Sequence, residues 1–321
     1  MPKSCIEMPD FHNLTWQKQY RGHQNSILKQ GFYACTRPFL SAYGRQFLSS
    51  ETLRQLNPLF VLPGRGFPLE SRRRWGAELC KVSDSVILVQ GTGTGWDVIS
   101  WARLKPKKII ATDLFTFEQS WDEIKSYCHQ VLGVEVSFHQ ASLEDHDFLA
   151  SESIDLCASD AVFEHCTDLK SVLKESWRLL KPGACLYASY GPLWFCSGGD
   201  HFSGRGGLQN VFNHLLLTPE NYQKYFSTFL EPNEDFQSGG RYVELDLFSK
   251  LRTQDYIKQF QSCNFYINSL ILQLSPTSFK FRKNFPELFN QLQEQYINRC
   301  IIDDFLISAN LIRLVKPMIS S

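Results

Sequence analysis

The chain has 321 residues, 43% of them hydrophobic, and its 33 lysines and arginines balance 33 aspartates and glutamates. That length allows one large domain, or one domain with appendages, around a sizeable core. Balanced charge excludes an extended nucleic-acid footprint, and no run reaches the roughly 20 apolar residues of a membrane span.

Residues 1–80 show no alternation of strands and helices. The first residues lack the apolar run of a signal peptide, and the 10 cysteines include no CxxC pair. A reducing, cytoplasmic setting is expected, with Cys157 and Cys185 as buried thiols. "SETLRQL" (50–56) and "PLESRRRWGAEL" (68–79) suggest short helices, so 1–80 is read as a helical cap or lid on a domain spanning 81–321. "SRRRW" (71–75) is read as a solvated helix face.

From residue 85 the pattern becomes regular. "SVILV" (85–89), "KKIIATD" (107–113), "VEVSFHQ" (134–140), "SIDLCASD" (153–160) and "ACLYASYG" (184–191) read as strands. Helices are expected from "GWDVISWARL" and from "TFEQSWDEIKSYCHQVLG", which ends at Gly133. Another is capped by Thr167, with Leu169, Val172, Leu173, Trp177 and Leu180 on one face, and is stopped by "KPG" at 181–183. Residues 191–216 read as a long glycine-rich loop within an insertion of about 191–250. "TPENYQKYFSTFL" (218–230) starts a helix with Thr218 as cap and Pro219 at its first position. "TQDYIKQFQSCNF" is a further helix, and "YINSLILQL" and "DFLISANLIRLV" (304–315) are closing strands. The alternation predicts an α/β fold: a Rossmann-like doubly wound sheet, mostly parallel, with an antiparallel last strand.

A parallel sheet binds its ligand at the carboxyl ends of the strands. Gly91, Gly93 and Gly95 stand at the first such corner. The dinucleotide pattern GxGxxG would need a small residue where Trp96 stands, and no GK[ST] follows for a phosphate loop. Asp113 ends the second strand about 20 residues on, where a carboxylate accepts both ribose hydroxyls. These residues point to an adenosine ligand and leave NAD and S-adenosylmethionine (SAM) both open.

The run "SIDLCASDAVFEHCTDLKSVLKESWRLLKPGACLYAS" (153–189) closely resembles class I SAM-dependent methyltransferases of the type 11 group. The likeness rests on a strand, a polar loop ending in Glu164–His165, and a helix running into LKPG. It implies SAM as cofactor, with Gly91, Gly93 and Gly95 under the methionine part, Asp113 on the ribose and Leu114 on the adenine. Ser142 and Leu143 would approach the base, and Asp160 and Ala161 would line the gap between sulfonium and acceptor. Two positions depart from the pattern. Val89 replaces an acidic residue two places before the first glycine, for which Asp97 is the candidate substitute, and Ser142 stands where an aspartate is common.

The acceptor is expected in the 191–216 segment, which presents Trp194, Asp200, Arg205 and Asn213 as binding residues. His165, His201 and His214 are the catalytic candidates, while Glu164 is read as anchoring its loop by hydrogen bonds. Asp200, His201 and His214 match no zinc spacing, so no metal is expected. The function expected is methyl transfer to a small-molecule hydroxyl, on a sugar or secondary metabolite. The alternatives are a non-catalytic SAM-binding protein and, behind it, a nicotinamide oxidoreductase.

Overall fold

The structure is a computed structural model that describes residues 27–64, 67–230 and 245–318. The first 26 residues of the expected cap, and 231–244 of the expected insertion, lie outside the described residues. No described helix is long and apolar enough to cross a membrane.

Eight strands form one sheet: β1 (Phe60–Pro63), β2 (Val86–Gln90), β3 (Lys108–Asp113), β4 (Glu135–Gln140), β5 (Ile154–Asp160), β6 (Leu180–Tyr190), β7 (Tyr266–Leu274) and β8 (Ile307–Val315). Their order is β1-β7-β8-β6-β5-β2-β3-β4. Only the pairings of β8 with β6 and β7 are antiparallel. This is the doubly wound sheet expected. β3 and β4 extend from one side of β2 and β5 from the other, so the strand order reverses at β2/β5 and opens a crevice at their carboxyl ends.

Successive side chains on a strand point to opposite faces, and β2 shows how this builds two core layers. Ile87 and Val89 enter one layer with Val98, Trp101, Trp75 and Tyr187. Leu88 enters the other with Cys157, Phe163, Leu173 and Phe260. Burial on both faces explains why the β2 sequence is an unbroken apolar run.

The helices are α1 (Ile27–Arg45), α2 (Ser50–Leu56), α3 (Leu69–Ala77), α4 (Trp96–Ala102), α5 (Glu118–Tyr127), α6 (Leu169–Leu179), α7 (Asn213–Leu216), α8 (Pro219–Phe229), α9 (Thr253–Ser262), α10 (Pro276–Asn284) and α11 (Pro286–Gln295). α5 continues as a π turn, Cys128–Leu132, that Gly133 ends in the left-handed region. α8 is capped by Thr218, whose side chain accepts the Asn221 N–H.

The sequence reading needs four corrections. Asp168, not Thr167, caps α6, accepting the Ser171 N–H at 3.1 Å. The KPG segment belongs to β6: Lys181 reaches Asp155 at 2.7 Å, the Gly183 N–H donates to the Lys316 carbonyl at 2.8 Å, and a bulge absorbs the extra residues. The 1–80 segment is more than a helical cap, because β1 pairs with β7 as a sheet edge. Finally, α10 and α11 were not anticipated. Their Phe281, Phe289 and Leu292 pack with Phe195, Phe212 and Leu215, so the glycine-rich segment has a core of its own.

Candidate active site

A cleft of about 410 Å³ opens at the strand-order reversal. Its walls come from the turn after β2 (Gly91, Gly93), the end of β3 (Asp113, Leu114, Phe115, Phe117), the segment after β4 (Ser142, Leu143, Glu144) and the turn after β5 (Ala161, Val162, His165). Cys166, Thr167, Val172 and Leu247 complete it. A mostly apolar slot with two carboxylates, Asp113 and Glu144, and a few hydroxyls is the composition a nucleoside asks for.

The three glycines serve different purposes. Gly93 has φ +52°, and a Cβ there would meet nothing within 4 Å, so its backbone faces the open cleft. At Gly91 a Cβ would stand 2.3 Å from Val162, and its φ of +67° also favours glycine. Gly95 does not line the cleft. It opens α4 at φ +89°, where a Cβ would press on Phe138 and Ile124, so its placing beneath the ligand is corrected.

Asp113 ties the corner together. Its Oδ2 accepts the Gly93 N–H at 2.6 Å and its Oδ1 accepts the Phe115 N–H at 3.0 Å. Burial raises its pKa, and these backbone donors oppose the rise. Each carboxylate oxygen keeps a second lone pair for a ligand hydroxyl. Trp121 was not singled out from sequence, yet its indole N–H holds the Gly93 carbonyl at 2.7 Å while its ring stacks on Phe138. The Phe117/Trp121 spacing of four on an expected helix was the available signal.

Asp160 does not face the gap. Its carboxylate accepts from Arg73 Nε at 2.8 Å and from the Tyr187 hydroxyl at 2.9 Å. Arg73 also donates to Asp97 and to Ser100. Its side chain is 1% exposed, so "SRRRW" is no solvated face, and Asp97 is engaged with Arg73 and does not stand in for the acid missing at Val89. Burial works against the Arg73 charge, but Asp160 and Asp97 more than offset it and its pKa rises. For Asp97 burial outweighs the guanidinium and pushes the carboxyl up to about 6.

Ala161, held at φ +58°, lines both this cleft and a second cavity of about 650 Å³. The second cavity is bounded by Arg72, Ser189, Tyr190 and Gly191 on one side and by Gln273, Ser275, Thr277 and Ser308 on the other. Arg72 Nε and Gln273 Nε2 are buried without a hydrogen-bond partner among the described residues, Arg72 Nε making only a long ion pair with Asp160 at 3.9 Å. Both residues escaped the sequence reading, since Gln273 lies inside an apolar strand and Arg72 inside a charge run.

The candidates in 191–216 line neither cavity. His214 is corrected: its side chain is fully buried, with Nε2 2.8 Å from the Trp194 carbonyl, Nδ1 3.1 Å from Ser203 Oγ and Asp200 3.6 Å away. Asp200, 0% exposed, accepts from the Ser203 and Tyr222 hydroxyls, and against burial the neighbouring His214 first, then these contacts, hold its pKa down. Arg205 donates to the Phe229 carbonyl at 2.9 Å, Asn213 is buried, and Trp194 packs edge-on against His214. Asp200, His214 and Arg205 are tied into the fold of the segment by these contacts.

His165 and His201 do meet, ring centroids 4.9 Å apart. Burial, with His201 alongside, pushes His165 down to about 3, and burial takes His201 down to about 4. Glu164 anchors its loop by accepting the Gly191 N–H at 3.0 Å, and burial raises its carboxyl to about 8.

Residues 88–188, which carry the glycine turn, Asp113 and the EH loop, match a family model described as a methyltransferase domain. No curated protein sequence matches the chain. Among solved structures, YcgJ of Bacillus subtilis is 14% identical, over 77% of this chain and 97% of its own, at a TM-score of 0.46. An S-adenosylmethionine-dependent methyltransferase from Mesorhizobium loti is 14% identical, over 76% of this chain and 95% of its own, at 0.45. A phosphoethanolamine N-methyltransferase from Haemonchus contortus, in complex with S-adenosyl-L-methionine, is 13% identical, over 78% and 53%, at 0.44.

Proposed function

We propose that this chain is a SAM-dependent methyltransferase acting on a hydroxyl of a small molecule, a sugar or secondary metabolite. The reading is carried by two cavities, one suited to a nucleoside and one lined with hydroxyls and with the N–H-bearing side chains of Arg72 and Gln273, that share Ala161 as a wall.

SAM is the cofactor, and the chemistry it supplies is an activated methyl group on a sulfonium. In the cleft, Asp113 holds the ribose diol while Leu114, Leu143 and Val172 provide the apolar walls for the base. Gly93 lets the backbone approach the ligand without a side chain between them. Phe115, Phe117 and Leu247 exclude water, which matters because an in-line displacement gains most from alignment and a dry site.

The acceptor stands in the larger cavity. Arg72 and Gln273 present buried donors there, and a buried unpaired donor costs roughly 1–3 kcal/mol, which an oxygen-rich acceptor recovers. That pairing favours a hydroxylated molecule over an apolar one. His165 and His201 are too weakly basic at about 3 and 4 to draw a proton from a hydroxyl, so in this proposal they hold groups in place and are not the general base.

The test is transfer of isotope-labelled methyl from SAM to a panel of glycosides and polyhydroxylated small molecules. Label in a methyl ether supports the reading. Label found only on nitrogen overturns the hydroxyl assignment, and label on no acceptor overturns the activity.

A further inference from the structure

Three side chains converge behind the wall of the smaller cavity, which His165 lines, in a way methyl transfer leaves unexplained. Glu164 and His165 belong to a single 3-10 turn, Phe163–His165, just after β5. His201 arrives from the glycine-rich segment after β6, where it is held at φ +61°. One ligand atom from each lies within 4.8 Å of the other two.

Glu164 and His165 each have one atom engaged and one free to ligate, and His201 adds a third free atom. Glu164 is 1% exposed; its Oε1 accepts the Gly191 N–H at 3.0 Å, and its Oε2 is buried without a partner among the described residues. His165 Nδ1 lies 3.2 Å from the Leu247 carbonyl oxygen. A carbonyl only accepts, so Nδ1 carries the proton and Nε2 presents a lone pair. This is the outer contact that fixes the tautomer of a metal-ligating histidine. His201 Nε2 is buried and also lacks a partner among the described residues. Phe248 closes the back of the site, 4.8 Å from the His165 ring and 5.3 Å from the His201 ring. Two unsatisfied buried atoms a few ångströms apart are costly for a fold to keep, and a cation between them satisfies both.

We propose that Glu164, His165 and His201 bind a divalent transition-metal cation. Two imidazoles and a carboxylate suit zinc, cobalt, manganese or iron, and are too nitrogen-rich for magnesium or calcium. Bonds of about 2.0–2.2 Å require the three ligand atoms to draw in by roughly 1 Å. Three protein ligands leave a position open, as in catalytic metal sites. The sequence reading weighed Asp200, His201 and His214 as the metal set; only His201 belongs, because Asp200 and His214 are consumed by each other and by Ser203, Tyr222 and Trp194.

His165 lines the smaller cavity, and Gly191, held by Glu164, lines the larger. A cation here is placed to hold an acceptor oxygen. That role rests on the methyl-transfer reading; the site itself does not.

The test uses the full chain, stripped with chelator and titrated with Co2+ alone, followed by visible absorption and calorimetry. One Co2+ per chain with nitrogen–oxygen ligand-field bands, displaced by Zn2+, is expected. Glu164→Gln and His201→Ala, each checked for folding by thermal melting, are expected to weaken binding at least about tenfold, within the range for loss of a ligand or its support. Exposed His129→Ala should leave it unchanged. X-ray absorption of the Zn2+-loaded wild type needs no variant and is expected to show two imidazoles with oxygen. No saturable Co2+ binding by folded wild type, binding that survives both ligand variants, or a sulfur shell overturns the proposal. SAM binding measured on the same stripped protein reports separately on the cofactor reading.

Discussion

Arg73 donates from Nε to Asp160 Oδ2 at 2.8 Å, joining α3 to the tip of β5 across 87 residues of sequence. The same guanidinium reaches Asp97 and Ser100 on α4, so one side chain fastens α3 both to the tip of β5 and to the helix that follows β2. Removing it strands two buried carboxylates. Arg73→Ala is expected to cost about 3–5 kcal/mol in denaturant unfolding, the usual penalty for breaking a buried ion pair from one side. Arg73→Lys is expected to recover only part of that, since an ammonium cannot span three partners in fixed directions. A loss under about 1 kcal/mol for Arg73→Ala would show that the network does not brace the fold.

His214 is a scaffold group. With both ring nitrogens engaged and Asp200 3.6 Å away, His214→Ala should lower unfolding stability by about 2–3 kcal/mol, the cost of orphaned buried partners, while the folded fraction binds SAM with unchanged affinity. Thermal melting and calorimetry on the same samples separate the two effects. Full stability with lost turnover would return His214 to a catalytic role.

Gln273 lines the larger cavity and not the smaller, and its buried Nε2 has no partner among the described residues. Gln273→Leu keeps the size and removes the donor. SAM affinity should stay within about twofold, while kcat/KM for the acceptor falls about tenfold, one hydrogen bond's worth. Unchanged kcat/KM would place the acceptor elsewhere.

Asp304 provides a pH test remote from the cleft. Burial raises its carboxyl to about 6, against the Ile301 N–H and Arg252, which favour ionisation. A folded pKa above the unfolded value gives stability that is complete below about 4 and is lost as pH rises through about 6. Asp304→Asn keeps an oxygen for the Ile301 N–H and removes the ionisation. Its unfolding free energy should exceed that of wild type by up to about 3 kcal/mol near pH 8, and the gain should vanish near pH 4. A difference independent of pH would mean that the carboxyl is not perturbed.

The strands of the parallel half were legible because their signal is local: apolar runs buried on both faces in the central strands, and an alternating edge strand in β4. Asp113 was legible for the same reason, since spacing from a glycine corner is a one-dimensional property. Arg73 was misread because its partners lie 24 and 87 residues away, and an arginine in a charge run looks alike whether solvated or buried. β1 is four residues long and ends in Pro63, too short for an alternation to register. α10 and α11 did leave a signal, Ser275–Pro276 and Phe285–Pro286, with proline at the first helical position of each. The meeting of His165 with His201 depends on how the segment after β6 folds back. That path is set by the long-range packing of Phe212 against Phe281 and Phe289, which no local pattern encodes.

The central claim is that the cleft takes a nucleoside through the carboxylate of Asp113, and calorimetric titration of S-adenosylhomocysteine into wild type and Asp113→Ala tests it most directly. One site per chain in wild type, with affinity at least about tenfold weaker in a folded Asp113→Ala, is the expected result, tenfold being about 1.4 kcal/mol of lost ribose contact. No saturable heat in wild type, or equal affinity in the two proteins, would contradict it.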